Sequence, residues 1–477
     1  MSLRSLLTTG LLAAGALAAP PNYASTTSKT KTVTKTVTAK PSTVTVTHSA
    51  SCSASTSHST SHSTSHSTST SHSTTKASST TKVTTSATTP STTSSPSSTK
   101  SSTATTSSVS SVVTTTSSSL NTVPTTTLVA TATATNYGLN DAAVAAGKLW
   151  FGTAADIPGT GEALDLYYIA EFDNIHDFGE ATPANIMKYE FTEPQAGVFD
   201  YTGAEEFFTA AAGKAVRCHN LIWSQELPSF ITAPTVPWTN ATLTAALVRH
   251  VTTLVEHFGD RCYSWDVVNE AFSDNPAGSY AANVWYNTIG PAYVVEAFQA
   301  ASDAVRKNGL KTKLYYNDYN IEYLGNKSYA AQALVKDLQN RNIQIDGVGL
   351  ESHFIAGSTP SKAAQQANME AFTALGVDVV VTELDVRLNL PPTAATEAQQ
   401  VVDYYNTVAA CVAVPRCVGI VVWDFDDTYS WIPGTFPGQG YGDLFLQAGG
   451  ANTTLTKKAA YDGVLEALTG APEAVKM

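Results

Sequence analysis

Two regimes of hydrophobic patterning divide the chain. From about Tyr137 onward, short apolar runs rich in Val, Ile and aromatic residues alternate with longer stretches in which apolar residues return every three or four positions. The short runs, at 151–157, 180–182, 215–222, 262–269, 313–317, 347–352, 377–383 and 418–424, predict strands. The longer ones, at 243–258, 293–308, 328–341 and 396–412, predict amphipathic helices. Repeated strand–helix alternation implies right-handed crossovers and a parallel α/β sheet. So many units in one stretch suit a closed (β/α)8 TIM barrel better than an open sheet, and no Gly-rich dinucleotide fingerprint follows the first strand.

Upstream, neither period appears. Residues 1–18 carry one basic residue (Arg4), an apolar core and the small-residue ending Ala16-Leu17-Ala18, the pattern of a cleaved signal peptide. The core is too short to span a membrane. Residues 19–136 are dominated by Ser and Thr, and no acidic residue precedes Asp141. Such a segment cannot bury enough apolar surface to offset its ordering entropy, which predicts a disordered, O-glycosylated stalk. It contains a short repeat around His58, His62, His66 and His72; metal binding by this tract competes with simple repeat slippage, and the latter is favoured. The folded part is then 137–477. The reading is a secreted, extracellular protein whose stalk can space a barrel from a cell wall. No apolar tail follows Ala471, which argues against a lipid anchor.

Charge narrows the partners. Eight of the 27 Lys and Arg residues lie upstream, so the folded part sets 19 basic against 39 acidic residues. Nucleic acid needs clustered cations and is excluded as a partner; a neutral or cationic substrate fits, and the chain is expected to be a monomer. Among five cysteines, Cys411 and Cys417 stand close enough to clip the connection into the last strand, as an oxidising compartment allows. Cys218 and Cys262 either pair or remain free thiols. Asn240, Asn326 and Asn452 are N-glycosylation acceptors.

Candidate chemistry collects at one end of the predicted barrel, where strands emerge. Asn185 and Lys188 follow the second strand, His219 and Trp223 the third, Asn269 and Glu270 the fourth, and Asn317, Asp318 and Asn320 the fifth. Glu351 and His353 follow the sixth, Glu383 and Asp385 the seventh, Trp423, Asp427 and Trp431 the eighth. Singly each has a bland reading; Asn269-Glu270, for instance, could simply start a helix. Seven such clusters at one rim point to a site. Glu270 and Glu383, at the ends of strands four and seven, face each other as glycoside hydrolysis requires, one donating a proton while the other attacks. Ala271 and Phe272 give Glu270 an apolar setting that suits the acid. Glu383 suits the nucleophile, with His353 and Asp385 orienting it. Trp223, Trp423 and Trp431 offer faces for sugar rings, while Asn185, Lys188, His219 and Asn269 offer hydrogen bonds.

These residues carry a resemblance. From about Leu139 to Leu468 the chain resembles the family 10 glycoside hydrolases, the retaining endo-β-1,4-xylanases, through Phe151–Asp156, Asn185-Ile-Met-Lys188, Arg217-Cys-His219, Trp265-Asp-Val-Val-Asn-Glu270, Tyr316–Asn320, Ser352-His353, Thr382-Glu-Leu-Asp385 and the 423–431 segment. The resemblance implies a (β/α)8 barrel, no cofactor or metal, Glu270 as acid/base, Glu383 as nucleophile, and a family disulfide at Cys411 and Cys417. It also implies that Asn269 binds the sugar 2-hydroxyl, that Lys188, His219 and Trp223 surround the same ring, and that Trp423 and Trp431 wall it. Departures are Ala184 for a usual Glu, Ser224-Gln225-Glu226 for a usual His-Ser-Gln, Glu351 for a usual Gln, Tyr189 for a usual Trp and Cys218 for a usual Gly. Glu351, if ionised, would raise the pKa of both catalytic candidates. Ala184 and Glu351 leave room for a rival reading, a β-glycosidase of the same family acting on a plant steroidal glycoalkaloid, as a tomatinase does. A third, the non-catalytic wall-binding protein, is disfavoured by the presence of both Glu270 and Glu383.

Overall fold

The structure, a computed structural model, describes residues 137–470. The expected signal peptide, the stalk with its His repeat and Cys52, and residues 471–477 lie outside the described residues.

All eight expected strands form and close into a parallel barrel. They are β1 (Trp150–Ala155), β2 (Glu180–Pro183), β3 (Ala215–Cys218), β4 (Ser264–Asn269), β5 (Lys313–Asp318), β6 (Gly347–Leu350), β7 (Asp378–Asn389) and β8 (Cys417–Val422). Each pairs in parallel with the next in sequence, and β8 returns to β1 with Ile420 opposite Phe151. Closure removes the exposed edges that an open sheet would leave. β7 runs on well past Glu383 because its extension pairs with His353–Ile355 in parallel and with Gln439–Gly440 antiparallel. That extension carries Asp385 to the mouth beside His353, its opposite in register.

The helical periods are also realised. The helix Asn240–Phe258 buries Leu243, Leu247, Val251, Leu254 and Phe258, a stripe at three- and four-residue spacing, and starts from a capping box between Thr239 and Thr242. A second capping box, Thr393 with Thr396, starts Ala394–Ala413. The C-terminal helix Ala459–Thr469 docks on that helix, and Gly463 allows the approach because a Cβ there would lie 2.8 Å from Val401.

Inside the barrel, side chains stack in layers. The layer at the strand N-termini is aromatic and aliphatic: Trp150, Tyr315, Val380 and Val421, with Ala215, Tyr263 and Val418 packed against them. Trp150 meets Tyr263 edge-on at 4.7 Å. The tryptophan that plugs the barrel is therefore Trp150, whereas Trp223 lies half-buried at the opposite end. Above this floor the interior turns polar, and the site is built on that polar layer.

Cys411 and Cys417 are joined, with Cα atoms 5.2 Å apart, as expected. The open question at Cys218 and Cys262 is resolved as a second disulfide, Cα atoms 5.5 Å apart. Among the described residues no helix is long and apolar enough to cross a membrane. Alkylation of the denatured, unreduced protein should leave Cys218, Cys262, Cys411 and Cys417 unlabelled in peptide mass spectrometry. Labelling at either member of the first pair would overturn that pairing.

Candidate active site

The polar layer begins with a buried cation. Arg217, pointing inward from β3 and 3% exposed, donates from Nε to Asp266 Oδ2 at 2.9 Å, from Nη1 to the Thr382 carbonyl at 2.9 Å and from Nη2 to Glu383 Oε1 at 3.1 Å. Three neighbouring acceptors offset the cost of burying the guanidinium. Asp266, on β4, shares the same oxygen with His219 Nδ1 at 2.8 Å. The charge layer thus ties β3, β4 and β7 together directly beneath the mouth.

Glu383 stands on that layer. Its other oxygen, Oε2, is 3.2 Å from His353 Nε2, and His353 Nδ1 is 2.7 Å from Asp385 Oδ2. Trp431 Nε1 donates to the same Asp385 oxygen at 2.8 Å, so Asp385 orients both the imidazole and an aromatic wall. Glu270 lies across the mouth, one residue beyond β4, with φ of 52°. This left-handed conformation is uncommon for a Glu and marks a constrained turn. Its N–H donates to the Asn317 carbonyl at 2.9 Å.

Two carboxamides link the carboxyls. Asn269 Nδ2 donates to Glu270 Oε1 at 3.3 Å, Asn317 Nδ2 donates to Asn269 Oδ1 at 2.7 Å, and the same nitrogen lies 2.8 Å from Glu383 Oε1. Asn317 fits this central place because its neighbour on β6 is Gly349, where any Cβ would lie 2.1 Å from Asn317 Oδ1.

The two environments push the two carboxyls apart. Burial raises the Glu270 pKa to about 7; the Trp223 indole N–H nearby, short of full hydrogen-bond geometry, opposes this, while the charges of Asp318 and Glu383 reinforce it. Burial also pushes Glu383 upward, but the His353 hydrogen bond and the charges of His219 and Arg217 outweigh it and bring the group to about 2. His353 rises to about 10, its burial overcome by Asp385 and Glu383. At neutral pH the pair thus offers one proton donor and one carboxylate.

The remaining expected residues gather around this pair. Lys188 Nζ donates to Asn185 Oδ1 at 2.6 Å and lies 4.6 Å above the Trp223 ring, and Asn185 Nδ2 donates to Asp156 Oδ2 at 3.1 Å. Burial lowers the Lys188 pKa, opposed by Glu226 and Glu383. Trp423 packs edge-on against His219 at 5.2 Å, and Trp431 lies 4.7 Å from His353. All three Trp residues are half-buried, as walls of an open groove are. Glu351 sits at the end of β6, 2% exposed. Asp427 does not join the site: it pairs with Lys458 at 2.6 Å. Asn320 instead donates to Asp274 at 3.2 Å.

Arg217 and Asp266 were not singled out as site residues in the sequence, although a charged residue inside each of two otherwise apolar strands was the available signal. Lys327 was also missed; it reaches from the helix Asn326–Asn340 to Asp318 Oδ1 at 3.0 Å. Glu351, His353 and Glu383 bring one ligating atom each within 4.8 Å of one another, but both His353 ring nitrogens are already engaged by carboxylates.

A parallel eight-stranded barrel with two carboxyls opposed at its C-terminal mouth, one favouring the protonated and one the ionised form, is the arrangement of a glycoside hydrolase. Comparison with known proteins makes this specific: residues 138–467 match glycosyl hydrolase family 10, and the chain belongs to that family. It is 50% identical over 332 residues to endo-1,4-beta-xylanase D of Talaromyces funiculosus, covering 69% of this chain and 77% of that one. Among solved structures, a GH10 xylanase from Bispora sp. MEY-1 with xylobiose is 67% identical, with a TM-score of 0.69, over 69% of this chain and all of that one. An endo-1,4-beta-xylanase of Penicillium canescens is 50% identical, with a TM-score of 0.67, over 71% of this chain and 99% of that one.

The opposed pKa values set the pH dependence. If Glu383 is the nucleophile and Glu270 the acid, as the sequence leads one to expect, kcat/KM should be lost as pH falls toward about 2 and as it rises through about 7. Arg217→Met removes a cation that favours the Glu383 anion, and the acid limb should move to higher pH, by roughly one unit or more. An unmoved acid limb in a folded Arg217→Met enzyme would separate Arg217 from the ionisation of Glu383.

Proposed function

We propose that the chain is a secreted, monomeric endo-1,4-β-xylanase that cleaves internal β-1,4-xylosidic bonds of xylan by double displacement with retention of configuration. The single observation that carries this reading is the opposed pair at the ends of β4 and β7, Glu270 near 7 and Glu383 near 2, linked through Asn269 and Asn317. The names of the fungal relatives support xylan as the substrate.

In the first step the Glu383 carboxylate attacks the anomeric carbon as the glycosidic C–O bond breaks, and Glu270 gives its proton to the departing oxygen. In the second, Glu270, now ionised, takes a proton from water whose oxygen attacks the same carbon, releasing Glu383 and restoring both groups. Arg217 and His353 hold Glu383 ionised between turnovers. Lys188, Asn185, His219 and Asn269 serve sugar hydroxyls, and Trp223, Trp423 and Trp431 present faces to the ring. No step calls for a metal or cofactor. Two disulfides suit an oxidising compartment, and the three acceptor asparagines Asn240, Asn326 and Asn452 all lie at exposed positions. A Ser/Thr-rich segment upstream suits association with a cell wall.

Xylan digestion should yield xylooligosaccharides, and proton NMR of the first product should show the β-anomer before mutarotation. Release of the sugar chain from a steroidal glycoalkaloid, with no product from xylan, would replace this reading with the rival glycosidase. Glu383→Ala should abolish turnover of xylan and of an aryl xyloside alike. Glu270→Ala should cost about 10²–10⁴-fold on xylan and much less on an aryl glycoside whose leaving group needs no proton. A Glu383→Ala enzyme with wild-type turnover of the aryl substrate would reject the assignment.

A further inference from the structure

Three carboxyls meet at the mouth, and the reaction uses two. The third, Glu351, has no cation of its own. Arg217 is spent on Asp266 and Glu383, and His353 Nε2 lies 3.9 Å from Glu351 Oε2, beyond a hydrogen bond, while bonding Glu383 at 3.2 Å. The charged groups facing Glu351 are Glu383 on β7, Glu270 beyond β4, Asp318 on β5, Lys327 on the helix Asn326–Asn340 and His353.

The hydrogen bonds of Asn317 bear on its protonation. Asn317 Oδ1 accepts from the Thr382 hydroxyl at 2.7 Å, which fixes the amide with Nδ2 toward the site. That nitrogen has two hydrogens and faces three oxygens: Asn269 Oδ1 at 2.7 Å, Glu383 Oε1 at 2.8 Å and Glu351 Oε1 at 3.1 Å. The two nearer oxygens take the hydrogens. Glu351 Oε1 is left over. As a carboxylate oxygen it would be a buried anion without a donor, a costly state. As a hydroxyl it becomes a donor itself, among acceptors.

We propose that Glu351 stands in the working enzyme as a neutral carboxylic acid, a positioning residue whose O–H makes good the hydrogen that Asn317 cannot supply, and that activity is lost when this proton leaves. Burial raises its pKa well above the usual carboxyl range, and the charges of Glu383 and Glu270 raise it further. Ionised Glu351 would draw Asn317 Nδ2 away from Glu383 and Asn269 and set a second anion beside the nucleophile. The inference rests on the roles given to Glu270 and Glu383.

Two measurements on the full chain test it. Glu351→Gln keeps a neutral, donating group of the same shape. Above the alkaline limb, log kcat/KM of the wild type should fall by roughly two per pH unit, because two protons are then required, and that of Glu351→Gln by roughly one. Equal limiting slopes overturn the proposal. The infrared difference spectrum of wild type minus Glu351→Gln at about pH 6 should contain the carbonyl stretch of a protonated carboxyl. A carboxylate band there overturns it as well. The infrared result does not depend on which carboxyl is the nucleophile, so an active Glu383→Ala enzyme would sink the catalytic assignment while leaving the state of Glu351 to be read separately.

Discussion

The buried Arg217 guanidinium is the interaction on which the site depends. A cation inside a barrel is costly unless its donors are met, and here they are met by Asp266, the Thr382 carbonyl and Glu383. The same contacts that satisfy the cation lock β3, β4 and β7 in register beneath the mouth. They also spend its charge on Glu383 and leave Glu270 without a cation in contact. Together with the His353 hydrogen bond and the charge of His219, Arg217 helps to divide two chemically identical side chains into an anion and an acid.

Orientation comes from a second layer of fixed groups. Asp385 accepts from both His353 and Trp431, so the imidazole that supports Glu383 and the indole that walls the groove are set by a single carboxylate. Asn269 and Asn317 carry hydrogen bonds from one carboxyl to the other. Except for Trp431, these groups stand on strands or at strand ends, so the placing of the two carboxyls follows from barrel closure. The extension of β7 beyond Glu383 matters for the same reason, since pairing with 353–355 is what brings Asp385 to His353.

Much of this was legible along the chain. The eight strands were readable because buried parallel strands are short apolar runs and barrel helices carry a stripe of period 3.6. The carboxyl pair was readable because Glu270 and Glu383 each end such a run. The inward charges were harder to read. Arg217 and Asp266 sit within strands, where sequence pattern alone reads an interruption. Which Trp plugs the barrel was also hidden, because Trp150 and Trp223 both border strands and only closure assigns one to the floor and the other to the mouth.

By itself, then, the sequence determined the barrel, the rim and the two carboxyls that end β4 and β7, because periodicity and strand ends are local properties of the chain. Tertiary structure alone decided what those carboxyls are. The values near 7 and 2, the pairing of Cys218 with Cys262 and the three oxygens competing for two Asn317 hydrogens all arise between residues far apart in sequence. Charge, burial and hydrogen-bond count are properties of the closed space, and no single strand contains them.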